Sequence, residues 1–204
     1  PELRVRRGVS GILGVYAALL RDRLYFGYVL SIGCVSAMLF AYIAGSPILF
    51  IENYGLSAQV FGIFFGVNSA GLVIGAQANR WLLKYLDPRK ALEITYALNT
   101  AIALVFMLQV WTGWGGFPAV VVILFLLVGS TGFLFPNITA LSMAPKGRVA
   151  GSASAMMGTV QFGLGGAAGS AVGLCYNGTA IPMAAVVLTC SVVGCTMLRV
   201  MARE

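Results

Sequence analysis

Residues 58–90 read AQVFGIFFGVNSAGLVIGAQANRWLLKYLDPRK. From Ala58 to Asn79 the chain carries no charge, and then Arg80, Lys84, Arg89 and Lys90 crowd into one short connection. A membrane span takes about 20 mainly apolar residues, so the run Ala58 to Leu83 is long enough to cross, with a basic loop at its end. The design repeats in both directions. Further runs extend over Phe26 to Ile51, Ala91 to Trp111, Phe117 to Met143, Val149 to Leu174 and Ile181 to Leu198. Six crossings result.

The placement of charge orders them. Arg4, Arg6, Arg7, Arg21 and Arg23 precede the first run, Lys146 and Arg148 separate the fourth from the fifth, and Arg199 and Arg203 follow the sixth. The connections near Glu52 to Ala58, Trp111 to Phe117 and Cys175 to Ile181 contain no Lys or Arg. Positive charge on short loops marks the cytoplasmic side, so both ends of the segment are expected in the cytoplasm. Trp111 and Trp114 fall where an outer aromatic belt would lie.

Composition supports this reading. Hydrophobic residues make up 59% and charged residues 9%, with a mean hydropathy of +0.92; soluble domains carry about 25% charged residues. The net charge of +7 belongs to the inner loops, which removes the case for nucleic acid. The runs show no period-2 alternation, which excludes a barrel. Connections this short make consecutive helices antiparallel. Gly11 to Leu20, flanked by Arg7 and Arg21, is too short to cross and reads as an amphipathic helix on the cytoplasmic surface. The chain begins at Pro1 without an initiator Met or signal-peptide layout and is expected to be a piece of a longer protein. Cys34, Cys175, Cys190 and Cys195 match no metal or disulfide spacing, and Asn177-Gly178-Thr179 fits a glycosylation sequon.

Charged residues are absent from the span centres: Glu52, Arg80 and Glu93 all lie toward ends, and there is no His. No carboxylate pair, nucleophile with a base, or metal cluster appears, so the chain is not expected to be an enzyme and no cofactor is implied. Uncharged polar groups mark the membrane interior instead: Tyr42, Ser46, Asn68, Asn99, Asn137 and Gln161. Such amides either tie helices together or face a cavity. Glycines gather in the second and fifth spans, as Gly62-x-x-x-Gly66, Gly71-x-x-x-Gly75 and the series from Gly151 to Gly173. Small residues at this spacing let helix backbones approach closely, either as static packing or as a sliding interface. Pro136 removes the backbone bond to the Gly132 carbonyl and permits bending there.

Tyr42-Ile-Ala-Gly-Ser-Pro47, Phe61-Gly-Ile-Phe-Phe-Gly-Val-Asn68, Gln77-Ala-Asn-Arg80, and Gly151-Ser-Ala-Ser-Ala-Met-Met-Gly158 with Gln161-Phe-Gly163 resemble the C-terminal half, spans seven to twelve, of a major facilitator superfamily transporter. More narrowly they resemble the Bcr/CflA drug-resistance group of drug:proton antiporters. The resemblance implies an all-α membrane protein whose six transmembrane helices form one half of a twelve-helix bundle. Residues 1–24 would be the linker between halves, with its short helix, and residues 25–204 the C-terminal domain. It implies proton-driven export of small, partly apolar compounds by alternating access, in the plasma (inner) membrane. The partners would be small-molecule substrate, protons, lipid and an N-terminal six-helix half. Tyr42, Asn68, Asn137, Gln161, Phe64, Phe65 and Phe162 are the candidate cavity residues. Gly75, Asn79, Arg80 and Arg89 are candidates for an inner-gate loop, with Asn79 standing where the family signature has an acid. A transporter of one specific metabolite and a six-span scaffold or channel are the alternatives.

Overall fold

In a computed structural model, residues 9–201 are described; Arg4, Arg6, Arg7 and Arg203 lie outside them. The described chain is helical throughout: α1 (Val9–Arg21), α2 (Arg23–Pro47), α3 (Ala58–Leu82), α4 (Pro88–Thr112), α5 (Gly116–Met143), α6 (Ala150–Leu174) and α7 (Ile181–Met201). A π-helical segment, Ile48–Asn53, prolongs α2, and a 3-10 segment, Ala144–Val149, joins α5 to α6.

Local chemistry sets the helix ends. Asp22 accepts the Tyr25 amide at 3.0 Å and Ser57 the Val60 amide at 3.3 Å, capping α2 and α3. Asp87 accepts the Arg89 amide at 2.9 Å, and Pro88 opens α4 with a preset φ. The turn from α4 to α5 uses Gly113 and Gly115, both at φ 69°, a backbone region that side chains disfavour.

Five helices are long and apolar enough to cross a membrane by length and composition: α2 with its extension, α3, α4, α5 with the following segment, and α7. α6 has the same 25 residues as α3 and α4, but seven glycines, from Gly151 to Gly173, dilute its apolar content. Its contacts give it the same depth. Tyr25 meets Ala153, Phe40 meets Gly165, and Ala44 meets Gly169, so α6 runs parallel to α2 from end to end.

α3 and α5 form a second parallel pair, registered by Phe64 with Phe117, Gly75 with Gly129, and Asn79 with Asn137. In this pair backbones touch almost directly. A Cβ added at Gly132 would fall 2.7 Å from the Ala76 amide nitrogen. α7 packs antiparallel to α2, through Gly45 with Met183, Ser31 with Gly194, and Arg23 with the Val200 carbonyl. α4 closes against α5 and α7. Taking α2–α4 and α5–α7 as two sets of three, the second helix of each set thus lies on the first helix of the other.

The same register places the basic connections together. Lys146 pairs with Asp22, and Arg23 donates to the Val200 carbonyl at 3.0 Å. The α1–α2 junction, the α5–α6 connection and the end of α7 therefore share one end of the bundle. The parallel register of α3 with α5 brings Arg80 and Lys84 to that end too. Leu19 of α1 is buried there among Tyr25, Tyr28 and Met156, so α1 lies on the bundle rather than apart from it.

Candidate functional site

The polar residues of the interior sort into two kinds. The first kind is consumed by the fold. Asn99 donates to Ser130 Oγ at 2.7 Å and accepts from Ser191 Oγ at 2.6 Å, linking α4, α5 and α7. Tyr96 donates to the Ser31 carbonyl at 3.0 Å, adding α2. α7 thus contributes a buried polar anchor in Ser191. An amide at this depth is costly unless paired, and Asn99 is paired on both sides.

Asn79 and Asn137 form the next pair. Each donates its amide to the other, at 3.2 and 2.8 Å, and both are buried. This corrects the reading of Gly75, Asn79 and Arg80 as a loop. All three lie in α3, which continues to Leu82, and only 83–87 connect it to α4. The physical reason is the α5 contact: Gly75 abuts the Gly129 backbone, and Asn79 is held by Asn137. Arg80 is exposed in the last turn of α3, where a cation suits the helix dipole. Arg89 lies in the first turn of α4, 3.4 Å from Glu93 one turn on.

The second kind lies on α2, α3 and α6, where Tyr42 and Asn68 are buried and paired with each other while Gln161 and Phe162 are not. Tyr42, on α2, accepts a hydrogen bond at 2.9 Å from the Asn68 amide on α3, and the Phe65 ring stacks on the Tyr42 ring at 5.9 Å. Phe64 lies 5.7 Å from Phe50 and 5.3 Å from Phe117, within an aromatic cluster that also includes Phe61 and Tyr54. On α6, Gln161 is half-buried and its side chain makes no hydrogen bond among the described residues. Phe162 is 70% exposed, with only its edge-on contact to Phe40. The structure therefore joins Tyr42, Asn68 and Phe65 in one group, puts Phe64 in the neighbouring aromatic cluster, sets Gln161 and Phe162 on the adjacent helix, and removes Asn137 to the α3–α5 seam.

Glycines separate the two sides as well. Gly71, Gly75, Gly129 and Gly132 are filled by the α3–α5 contact. By contrast, a Cβ at Gly62 or Gly66 on α3, or at Gly151, Gly158, Gly163, Gly166 or Gly173 on α6, would meet nothing within 4 Å. These seven are not required by any packing inside this chain.

At the basic end, Asp22 carries both an N-cap and the Lys146 ion pair, while Lys146 also lies 5.3 Å over the Tyr25 ring. Burial acts to raise the Asp22 pKa. The Lys146 hydrogen bond and charge, with the Tyr25 and Leu24 amides, outweigh it and hold the pKa below the ordinary 3.8. At the opposite end Tyr176 donates to the Glu52 carboxylate, an exposed bond that raises the tyrosine pKa. Neither contact was legible in the sequence, since each joins residues 124 apart.

A bundle of apolar helices with interlocked sets of three and one polar, glycine-rich side is the architecture of a polytopic membrane transporter domain. Residues 2–170 match the model of the Major Facilitator Superfamily, and the chain belongs to that family. It is similar to the MFS-type transporter YdgK of Bacillus subtilis, with 29% identity over 95% of this chain and 48% of that protein. It is also similar to the bicyclomycin resistance protein homolog of Haemophilus influenzae, with 24% identity over 94% of this chain and 48% of that protein. The chain spans about half the length of the curated relatives it matches.

Proposed function

We propose that this chain is the C-terminal half of a drug:proton antiporter of the Bcr/CflA group, exporting small, partly apolar compounds by alternating access. The observation that carries the reading is the set of seven outward glycines on α3 and α6. A helical glycine costs about 1 kcal/mol relative to alanine, and close approach by another helix is what it offers in return. An N-terminal six-helix half laid on that side would supply the approach. Substrate would then lie between the halves, as in transporters built from repeats. The likeness to a bicyclomycin resistance homolog supports the substrate class.

In this reading Tyr42 and Asn68 orient substrate by hydrogen bonds, and Gln161 offers both a donor and an acceptor from the facing helix. Phe64, Phe65 and Phe162 give adaptable apolar contact, while Asn137 acts from the seam by holding α3 and α5 as one rigid pair. Gly75, Asn79, Arg80 and Arg89 would bear on the inner gate. Among the described residues no carboxylate lies at mid-span: Glu52 belongs to the π-helical end of α2 and Glu93 to the start of α4. The proton carrier is therefore assigned to the other half.

The basic end is assigned to the cytoplasm of an inner-membrane protein by the bias of Lys and Arg, with α1 as the helix of the linker between halves. In a Cys175→Ser background, Thr112→Cys should react with an impermeant thiol reagent added outside and Asp87→Cys should not. Reversed labelling would overturn the orientation. Transport is tested by substrate-driven proton movement in the chain joined to its N-terminal half. Gln161→Ala should alter which compounds move while proton coupling persists. Loss of coupling in Glu52→Gln or Glu93→Gln, at equal expression, would place the proton site in this half instead.

A further inference from the structure

Between α3 and α4, with α5 as its floor, runs a groove of about 230 Å³. Ile74 and Ala78 of α3, Leu98 of α4, and Leu126 and Phe133 of α5 are among the residues that line it. Gly75 and Gly129 line it too, where α3 and α5 meet backbone to backbone. The one polar side chain in the lining is Ser130, and its hydroxyl is already spent on Asn99 and the Leu127 carbonyl. A groove without a free polar group gives water no partners. It suits an alkyl chain.

The groove lies apart from the outward glycines. Successive residues of a helix turn by about 100°, so Gly62, Gly66 and Arg80 share one face of α3. Ile74, Ala78 and Trp81 share another, roughly a quarter-turn round the helix. Ile74 and Leu98, on the two rims, are both more than half exposed. A second six-helix half laid on the glycine face would leave this groove open to the bilayer.

Toward the basic end the groove meets an aromatic pair and two lysines. Trp81 is 61% and Tyr85 70% exposed, and their rings pack edge to face at 5.1 Å. On α4, Lys90, Ile94 and Leu98 follow one another a turn apart along one stripe. Lys84 sits beside Tyr85 in the turn between the two helices. Both lysines are exposed, and neither bonds to anything among the described residues. The nearby acids are engaged: Glu93 lies 3.4 Å from Arg89, and Asp87 accepts the Arg89 amide. Exposed Trp and Tyr mark the depth of the headgroups, and unpaired lysines there attract anionic lipid.

We propose that this groove binds one anionic phospholipid. An acyl chain lies along Ile74, Ala78 and Leu98, the Trp81 and Tyr85 rings flank the glycerol region, and Lys84 and Lys90 hold the phosphate. Such a lipid would be held whatever compound the transporter moves.

The chain, carrying Trp111→Phe and Trp114→Phe so that Trp81 reports alone, is reconstituted in phosphatidylcholine bilayers. Trp81 emission is followed as brominated phosphatidylglycerol, or brominated phosphatidylcholine, replaces part of the lipid. The quenching should show phosphatidylglycerol favoured about fivefold at Trp81. With Trp114 as the sole reporter, at the opposite end, neither lipid should be favoured. Lys84→Gln with Lys90→Gln, at exposed side chains that hold nothing in place, should abolish the preference. Ala78→Phe fills the groove without touching a charge and should at least halve the preference. The lysine pair keeps the test decisive if Ala78→Phe does not fold. No preference in the parent, or one that survives the loss of both lysines, would overturn the headgroup site. A preference unchanged by Ala78→Phe would overturn the seated chain and leave only charge at the surface. Trp81 left unquenched by both lipids would also overturn the proposal and show a second copy covering this face.

Discussion

α4 and α6 are both 25 residues long and both present one side to the exterior of the chain, yet those sides are built differently. The outer side of α4 carries Ile94, Leu98, Leu104, Val105 and Leu108, each exposed by 43% or more. Large apolar side chains are what lipid tails accommodate. The outer side of α6 carries Gly151, Ala155, Gly163, Gly166, Ala167 and Gly173, all exposed and small, with Phe162, Leu164 and Leu174 the large apolar side chains that α6 exposes besides them. Lipid gains nothing from a glycine, whereas an approaching helix does. The difference distinguishes a surface for the bilayer from a surface for another protein segment.

A sharper form of the comparison sets inward glycines against outward ones. Gly132→Val should be the most damaging single change for folding, costing about 3 kcal/mol, because its side chain would run into the α3 backbone at Ala76. Reversible unfolding in mixed micelles measures it. A loss under 1 kcal/mol would show that the α3–α5 seam is looser than its contacts imply.

Next in size comes the paired amide. Asn79→Ala leaves Asn137 buried without its partner and should cost about 1–2 kcal/mol. Asn79→Leu combined with Asn137→Leu should cost less than the single change, since no orphan remains. A double variant worse than the sum of the singles would mean that the pair does more than satisfy itself.

Smaller still is the effect of acid on the junction of α1 and α2. The Asp22 pKa is lowered in the folded chain, so its contribution is present in full above the ordinary carboxyl value of 3.8. It fades as pH falls below that value, through the folded pKa. The parent should therefore lose stability as pH falls below about 4 more steeply than Asp22→Asn. Equal slopes would remove Asp22 as the titrating group.

The sequence announced the six helices well, because hydropathy and charge are local signals. Val149 to Leu174 reads as a span, and a helix does run over Ala150–Leu174, though it is not among the five long and apolar enough to cross. Even Trp111, assigned to a connection, turned out to end α4 within one residue. The pairing of helices was not legible. Gly62-x-x-x-Gly66 and Gly71-x-x-x-Gly75 look alike in sequence, yet the second is filled by α5 and the first by nothing in this chain. Spacing says that a backbone can come close; it does not say whose. Asn79 stands where the family signature has an acid, but its partner lies 58 residues away, beyond any pattern. Gln109 carries little signal because an amide at a helix end is ordinary, and only the turn Trp111-Thr-Gly-Trp-Gly-Gly116 points to the carbonyls that its nitrogen meets.

The central claim is that the outward glycines of α6 serve a second six-helix half and not this chain's own packing. The direct measurement pairs two readouts on Gly163→Leu with Gly166→Leu: unfolding of this chain alone, and export by the chain joined to its N-terminal half. The account predicts folding within about 0.5 kcal/mol of the parent and export reduced at least tenfold, while Leu98→Ala with Leu104→Ala on α4 leaves export near the parent level. Export unchanged by the two leucines, or unfolding of the isolated chain by them, would contradict it.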